Sequence, residues 1–177
     1  VLKWFRDSFA EQERETALEN GESVYALLDK KAPTEPTGIL VLPHFAGAAT
    51  PYMDSAAKAA FAGITLETTK YDIYRALMEG TSYEMRVNLE RMESVSGNVN
   101  EIRATGGGAA SDIWLQIKAD ILGKAVTALN APQVGAAGTA ALAGAAIGIY
   151  GNIETAAEKM SPVRRVFYPN PENAEIY

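Results

Sequence analysis

Glu101-Ile-Arg-Ala-Thr105-Gly106-Gly107-Gly108-Ala109-Ala110-Ser111 decides the fold. A strand-like run from Glu101 to Thr105 ends in three consecutive glycines. A helical pattern then runs from about Ser111 to Leu122, with Trp114, Ile117 and Ile121 on one face and Gly123 as its stop. Glycines at the end of a strand remove every Cβ where the backbone meets whatever lies above the sheet. The helix start that follows offers free N–H groups and a positive dipole end, for which a phosphate or a nucleotide is a natural guest. The same glycines also suit a tight strand-to-helix crossover in which they only permit close packing. Local chemistry leaves both readings open.

Downstream, Lys124–Leu129 reads as a strand, Pro132 as a break and Val134–Tyr150 as a helix made almost wholly of Ala and Gly. Gly144-Ala-Ala-Ile-Gly148 is a small-xxx-small pattern. The stretch is rich in Ala and Gly instead of Leu and lacks flanking basic residues, so tight packing on a sheet is expected and a membrane span is not. Met160–Tyr177, with three prolines, is expected to pack over the surface. Upstream, Val1–Leu28 suggests one or two short surface helices, with Glu11, Glu13 and Glu15 on a solvated face. Ala32–Gly38 is a turn-rich connector, Ile39–Leu42 a buried strand, Ala46–Ala60 a small-residue loop and Phe61–Leu66 a second strand. A helix is expected from about Thr69–Asp72 to Met92, closed by Gly97. Strands alternating with helices imply an α/β layer structure.

With 177 residues the chain makes one domain with a sizeable core. A net charge of -6 and a pI near 4.9 repel phosphate backbones, which excludes a nucleic-acid partner. Absence of cysteine excludes disulfides and thiolate metal sites, in keeping with a reducing compartment. The single histidine, His44, makes neither a metal site nor a serine–histidine triad by itself, and reads as a structural histidine. Asp54, in Thr50-Pro-Tyr-Met-Asp54, reads as a loop cap sooner than a substrate-facing acid. Asp72 reads as a helix N-cap sooner than an acid–base catalyst, and Glu79 has no second carboxylate at a defined distance. A dinucleotide-binding Rossmann site is the rival for the glycine turn. That fold wants an acid after the next strand, where this chain has Asn130, and Gly or Ala where it has Ser111.

Several segments also stand in a telling order: Ile39-Leu-Val-Leu-Pro43, Thr50–Asp54, Phe61-Ala-Gly-Ile-Thr65 and Asp72-Ile-Tyr-Arg-Ala-Leu-Met-Glu-Gly80 precede Ala104–Ala109. Ser111, Trp114, Gln116-Ile117, Ala119-Asp120 and Gly138-Thr-Ala-Ala141 follow. Together they resemble the C-terminal domain of FGGY-family carbohydrate kinases, nearest in pattern to the xylulokinase branch. The resemblance covers nearly the whole chain.

The resemblance implies a ribonuclease H-like, actin-like ATPase domain whose residues 1–177 form the C-terminal nucleotide-binding part of a two-domain sugar kinase. Val1 would then mark a domain from a longer chain. ATP with Mg²⁺ is the implied cofactor. Nucleotide contact is carried onto Gly106, Gly107, Gly108 and Ala109. The family often places an asparagine near the adenine four residues after the last glycine, where this chain has Asp112, with Ser111 beside it as a substitute donor. The family's general-base aspartate, most of its sugar contacts and its first phosphate loop match nothing here. No catalytic or metal-ligating residue is therefore expected in this chain, and the chain alone is expected to be inactive. Two departures stand out. Gly47-Ala48-Ala49-Thr50-Pro51 replaces the usual Gly-Glu-Arg-Thr-Pro, and Gln133 stands where a glutamate is common. Implied substrates are ketopentoses such as xylulose, with hexonates, deoxyhexuloses and glycerol-like polyols behind. Implied surroundings are cytoplasmic, with the N-terminal kinase domain as partner and a homodimer as an admissible assembly. The alternative is a kinase-like interaction module that has lost catalysis.

Overall fold

In the computed structural model, which describes residues 1–130 and 133–177, the chain is organised around one long helix, α4 (Lys70–Ser96). Thr69 caps it. The Thr69 hydroxyl accepts a hydrogen bond from the Asp72 N–H at 3.3 Å, and the Asp72 carboxylate accepts one from the Thr69 N–H at 2.7 Å. This reciprocal box satisfies donors that a helix start leaves open. Asp72 is thus the third residue of the helix, and the cap expected of it falls to Thr69. Gly97, at φ 85°, ends the helix where expected, one turn beyond Met92.

Three helices precede α4, where one or two were expected: α1 (Leu2–Phe9), α2 (Glu11–Asn20) and α3 (Val24–Lys31). They are not confined to the surface, because Phe5 and Leu28 join Tyr74, Leu77, Met78, Ile117 and Ile121 in the main core. Glu13 corrects the expected solvated face, for it is buried. Its carboxylate accepts hydrogen bonds from Tyr71 Oη at 2.6 Å, Lys70 Nζ at 2.8 Å and Lys31 Nζ at 3.1 Å. Burial alone would raise its pKa. The three donors, from α3 and α4, win and hold the carboxyl at about 2.

Strands β1 (Leu40–Leu42) and β2 (Ala60–Ala62) form an antiparallel pair with Val41 opposite Phe61. In β1 only Val41 turns inward, with Phe61 of β2 half-buried against the same core. Leu40 and Leu42 are exposed, so this is a half-covered pair and not a buried strand. The second strand stops at Ala62, short of the expected Leu66, and turns at Gly63. Gly80 lets α4 lie directly on β1. A Cβ there would sit 2.5 Å from the Val41 carbonyl oxygen.

A second sheet has the order β3 (Ile102–Ala104), β4 (Val126–Leu129), β5 (Val163–Phe167), parallel across β3 and β4 and antiparallel across β4 and β5. Helix α5 (Asp112–Leu122) lies between this sheet and α4, placing Leu115 and Ala119 against Val126, Ala128 and Phe167. The tail therefore supplies an edge strand and a short helix, α8 (Pro171–Ile176), where a surface wrap was expected. Helix α6 (Val134–Ala146) ends four residues before Tyr150 and packs chiefly on α7 (Ile153–Met160) instead of on a sheet, leaving Leu142 and Val134 exposed. The expected break at Pro132 lies outside the described residues. Among the described residues, no helix is long and apolar enough to cross a membrane.

Candidate functional site

The glycine run becomes a tight connection from β3 to α5. Gly106 adopts φ 75°, in the region that favours glycine, and Gly107–Ala110 form one 3₁₀ turn closed by the Ala109 N–H on the Gly106 carbonyl at 3.0 Å. Ser111 then caps α5, its hydroxyl accepting from the Trp114 N–H at 3.2 Å. The three glycines have different duties. A Cβ on Gly106 or Gly107 would meet nothing within 4 Å, whereas one on Gly108 would approach Trp114 Cζ3 to 3.1 Å. Gly108 is thus a packing glycine, and Gly107 is the one that leaves backbone open to a guest.

Beside the turn lies a cleft of about 490 Å³. Gly107, Gly108, Ala110, Ser111 and Trp114 form one wall. Leu2 of α1, Tyr25 and Asp29 of α3 and Tyr74 of α4 form the other. Of the residues expected at the site, Gly107, Gly108 and Ser111 line this cleft. Gly106, Ala109 and Asp112 flank the turn outside the lining. Ala109 is buried and its carbonyl accepts from Arg164 Nη2 at 3.0 Å. Asp112 is engaged by two arginines of β5, with Arg164 Nη2 at 2.8 Å from Oδ1 and Arg165 Nη1 at 2.9 Å from Oδ2. These ion pairs tie the start of α5 to the edge strand, with Oδ2 accepting a hydrogen bond from Arg165 and Oδ1 accepting none among the described residues.

The wall opposite the turn has no local signature in the sequence, because it comes from residues 2–29 and 74, far upstream of the glycines. Its one acid is Asp29, whose Oδ1 accepts from Tyr74 Oη at 2.8 Å. Burial raises the Asp29 pKa, and hydrogen bonds from Ser111 and Tyr74 pull it back. Trp114 Nε1 is buried without a hydrogen-bond partner among the described residues.

Other polar residues of the ordered motifs hold the scaffold. Arg75 and Glu79 form a buried pair with Nε to Oε1 at 2.7 Å. Arg75 also donates to the Pro33 carbonyl and Tyr177 Oη, and Glu79 accepts from Thr37 and Tyr177. Asp120 accepts from Gln116 Nε2, the Asn170 N–H and Asn173 Nδ2, which anchors the tail to α5. Asp54 accepts from the Ala56 N–H at 2.8 Å and is the loop cap expected of it. His44 is nearly buried, packs edge-on against Tyr52 and lies 3.7 Å from Glu84.

Comparison with known proteins places this geometry. The model of the C-terminal domain of the FGGY family of carbohydrate kinases matches residues 1–147. A xylulose kinase of Staphylococcus epidermidis is 32% identical, with 99% of this chain and 34% of that protein aligned. A glycerol kinase of Deinococcus radiodurans is 33% identical over 99% of this chain and 33% of that protein. The solved structure of a xylulose kinase from Rhodospirillum rubrum superposes with a TM-score of 0.76 at 28% identity, covering 99% of this chain and 34% of that one. The chain spans about a third of the length of the curated relatives it matches.

Proposed function

The chain belongs to the FGGY family of carbohydrate kinases, with the actin-like α/β fold of those enzymes, and from that premise we propose that residues 1–177 are the C-terminal nucleotide-binding part of an ATP-dependent sugar kinase. The observation that carries the proposal is the cleft beside Gly107. Its size suits a nucleoside, its walls are largely apolar, and open space at Gly107 lets a ligand reach the backbone. Gly107, Gly108 and Ser111 contact the nucleoside, Gly106 and Ala109 hold the turn in shape, and Asp112 fixes the helix start below it. ATP supplies the phosphoryl group. The residues of this chain bind and orient its nucleoside end, a positioning role of the kind on which phosphoryl transfer depends.

Among the described residues, no cluster of three or more His, Asp or Glu side chains could hold a metal. In this reading Mg²⁺ travels on the nucleotide phosphates, and this chain contributes no ligand to it. The sugar is a ketopentose such as xylulose, supported by the xylulose kinases among the relatives, although glycerol kinases match at comparable identity. Most sugar contacts and the general base lie in the companion domain, so the isolated chain carries out no transfer.

The test is calorimetric titration of ATP into the full-length kinase and into its Gly107→Val variant. The valine adds a branched side chain at the cleft lining, and an affinity loss of about tenfold or more is expected from blocking a contact surface. Undiminished affinity overturns the assignment. Gly108→Val is a poorer probe, because its side chain strikes Trp114 before it reaches any ligand. Robust sugar phosphorylation by the isolated chain would overturn the division of labour, and a panel of pentuloses and polyols ranks the substrates.

A further inference from the structure

Lys118 is the most anomalous charged residue of the chain. It is only 9% exposed, on the inner side of α5, and no carboxylate of the described residues lies within ion-pair distance. Burial of an ammonium without a counter-ion is costly, and desolvation lowers its pKa accordingly. What it does have is an aromatic partner one turn earlier. Side chains of a helix lean toward its N-terminus, so residue 118 covers the turn that carries Trp114. The Lys118 Nζ stands 4.1 Å from the centroid of the Trp114 ring. That ring in turn lines the nucleoside cleft and fills the space that a side chain on Gly108 would need.

Lys118, Trp114 and Gly108 therefore form a chain of contacts that begins in the interior and ends at the glycine turn. The cleft lining itself does not include Lys118, so its charge acts on a bound molecule through the indole. We propose that Lys118 is a positioning residue for the nucleotide cleft: its ammonium clamps the Trp114 indole against Gly108 and so fixes the wall against which the nucleoside sits. The proposal rests on the nucleotide reading of the cleft. It also gives a reason for a lysine where an apolar residue would be cheaper to bury. A lysine or arginine can hold an indole face by attraction to its quadrupole, and a methionine of similar length cannot do so by charge.

The experiment is made on the full-length kinase with Lys118→Met, Lys118→Arg and Gly107→Val. ATP dissociation constants are measured by calorimetry, and Trp114 emission is taken as the difference between each protein and its Trp114→Phe counterpart. Lys118→Met is expected to fold with an unchanged or higher urea midpoint, since it removes a buried charge. Its ATP affinity is expected to fall by about 3- to 30-fold, the range that cation–π attraction supports, with a shifted Trp114 emission. Lys118→Arg is expected to restore both, because a guanidinium also stacks on indole. A purely structural lysine gives neither the affinity loss nor the arginine rescue. ATP affinity within twofold of the parent in Lys118→Met, alongside a clear loss in Gly107→Val, overturns this inference alone. Normal affinity in both variants, or no ATP binding by the parent, overturns the nucleotide reading and this inference with it.

Discussion

Replacing Glu79 by glutamine should destabilise the chain by about 3 kcal/mol, although the two side chains have nearly the same shape. The Glu79 carboxylate is almost completely buried and accepts from Arg75 Nε at 2.7 Å, Tyr177 Oη at 2.7 Å, the Thr37 N–H at 3.2 Å and the Thr37 hydroxyl at 2.5 Å. An amide retains one acceptor and sets an NH₂ group among donors. More seriously, it leaves the buried Arg75 guanidinium without its counter-ion, and removing one member of a buried pair costs about 3–5 kcal/mol. The lower end applies because the Pro33 carbonyl and Tyr177 Oη still accept from Arg75. Equilibrium urea unfolding reads the effect. With a slope of about 2 kcal/mol/M for a domain of this size, the midpoint should fall by about 1.5 M. The double variant Arg75→Met/Glu79→Gln removes the stranded charge as well and should recover at least about 1 kcal/mol relative to the sum of the two single losses. A Glu79→Gln loss below about 1 kcal/mol, or strictly additive singles, would refute the claim that this pair staples the 33–37 connector and the C-terminus to α4.

Glu13 supplies a pH signature. Its carboxyl is held at about 2 in the folded chain against an ordinary 4.5, so the stability it contributes is complete above about pH 4.5 and disappears as pH falls through 2. A gap of that size is worth at most about 3 kcal/mol, and the partly exposed lysines reduce it to about 1–2. Urea midpoints measured from pH 6 to 2.5 should show this acid loss, and Glu13→Gln should flatten the curve. Gly80→Ala should lower the thermal midpoint by the equivalent of about 1–3 kcal/mol, because the new Cβ strikes the Val41 backbone. That outweighs the gain of about 1 kcal/mol in helix propensity, and a raised midpoint would show that α4 and β1 separate easily. Asp120→Asn keeps one acceptor and sets its NH₂ against either the Asn170 N–H or Asn173 Nδ2, so amide exchange should accelerate across residues 168–177 while α4 keeps its protection. Uniform protection would count against its anchoring role.

The parts of this fold that sequence made legible are those set by local chemistry. Thr69 with Asp72, Gly97, Ser111 and Gly123 punctuate α4 and α5, and the glycine run marks the link from β3 to α5. What escaped is tertiary. Val163-Arg-Arg-Val-Phe167 has weak alternation and two arginines, and becomes a strand because β4 offers it an edge and Asp112 pairs both arginines. Glu13 sits among acids on a helix with little amphipathic pattern, so its burial is decided by Lys31, Lys70 and Tyr71, up to 58 residues away. Half of the cleft escaped for the same reason. The turn is visible in five residues, but Leu2, Tyr25, Asp29 and Tyr74 face it only once α1, α3 and α4 have packed.

If the cleft holds a nucleotide as proposed, the charge around it sets what its lining can contribute. Among the described residues its lining holds tyrosines, a tryptophan, serines, glycines and one acid, and no lysine or arginine. Three basic groups beside the turn have partners there: Arg164 and Arg165 pair with Asp112, and Lys118 with the Trp114 ring. A triphosphate brings several negative charges, and the dipole of an 11-residue helix amounts to about half a charge. The turn and the start of α5 can therefore orient a nucleotide and shield its nucleoside from water. Under the proposed function, neutralising the transferring phosphoryl group falls to cations from beyond this lining, and the glycine turn serves as one jaw of a two-domain cleft.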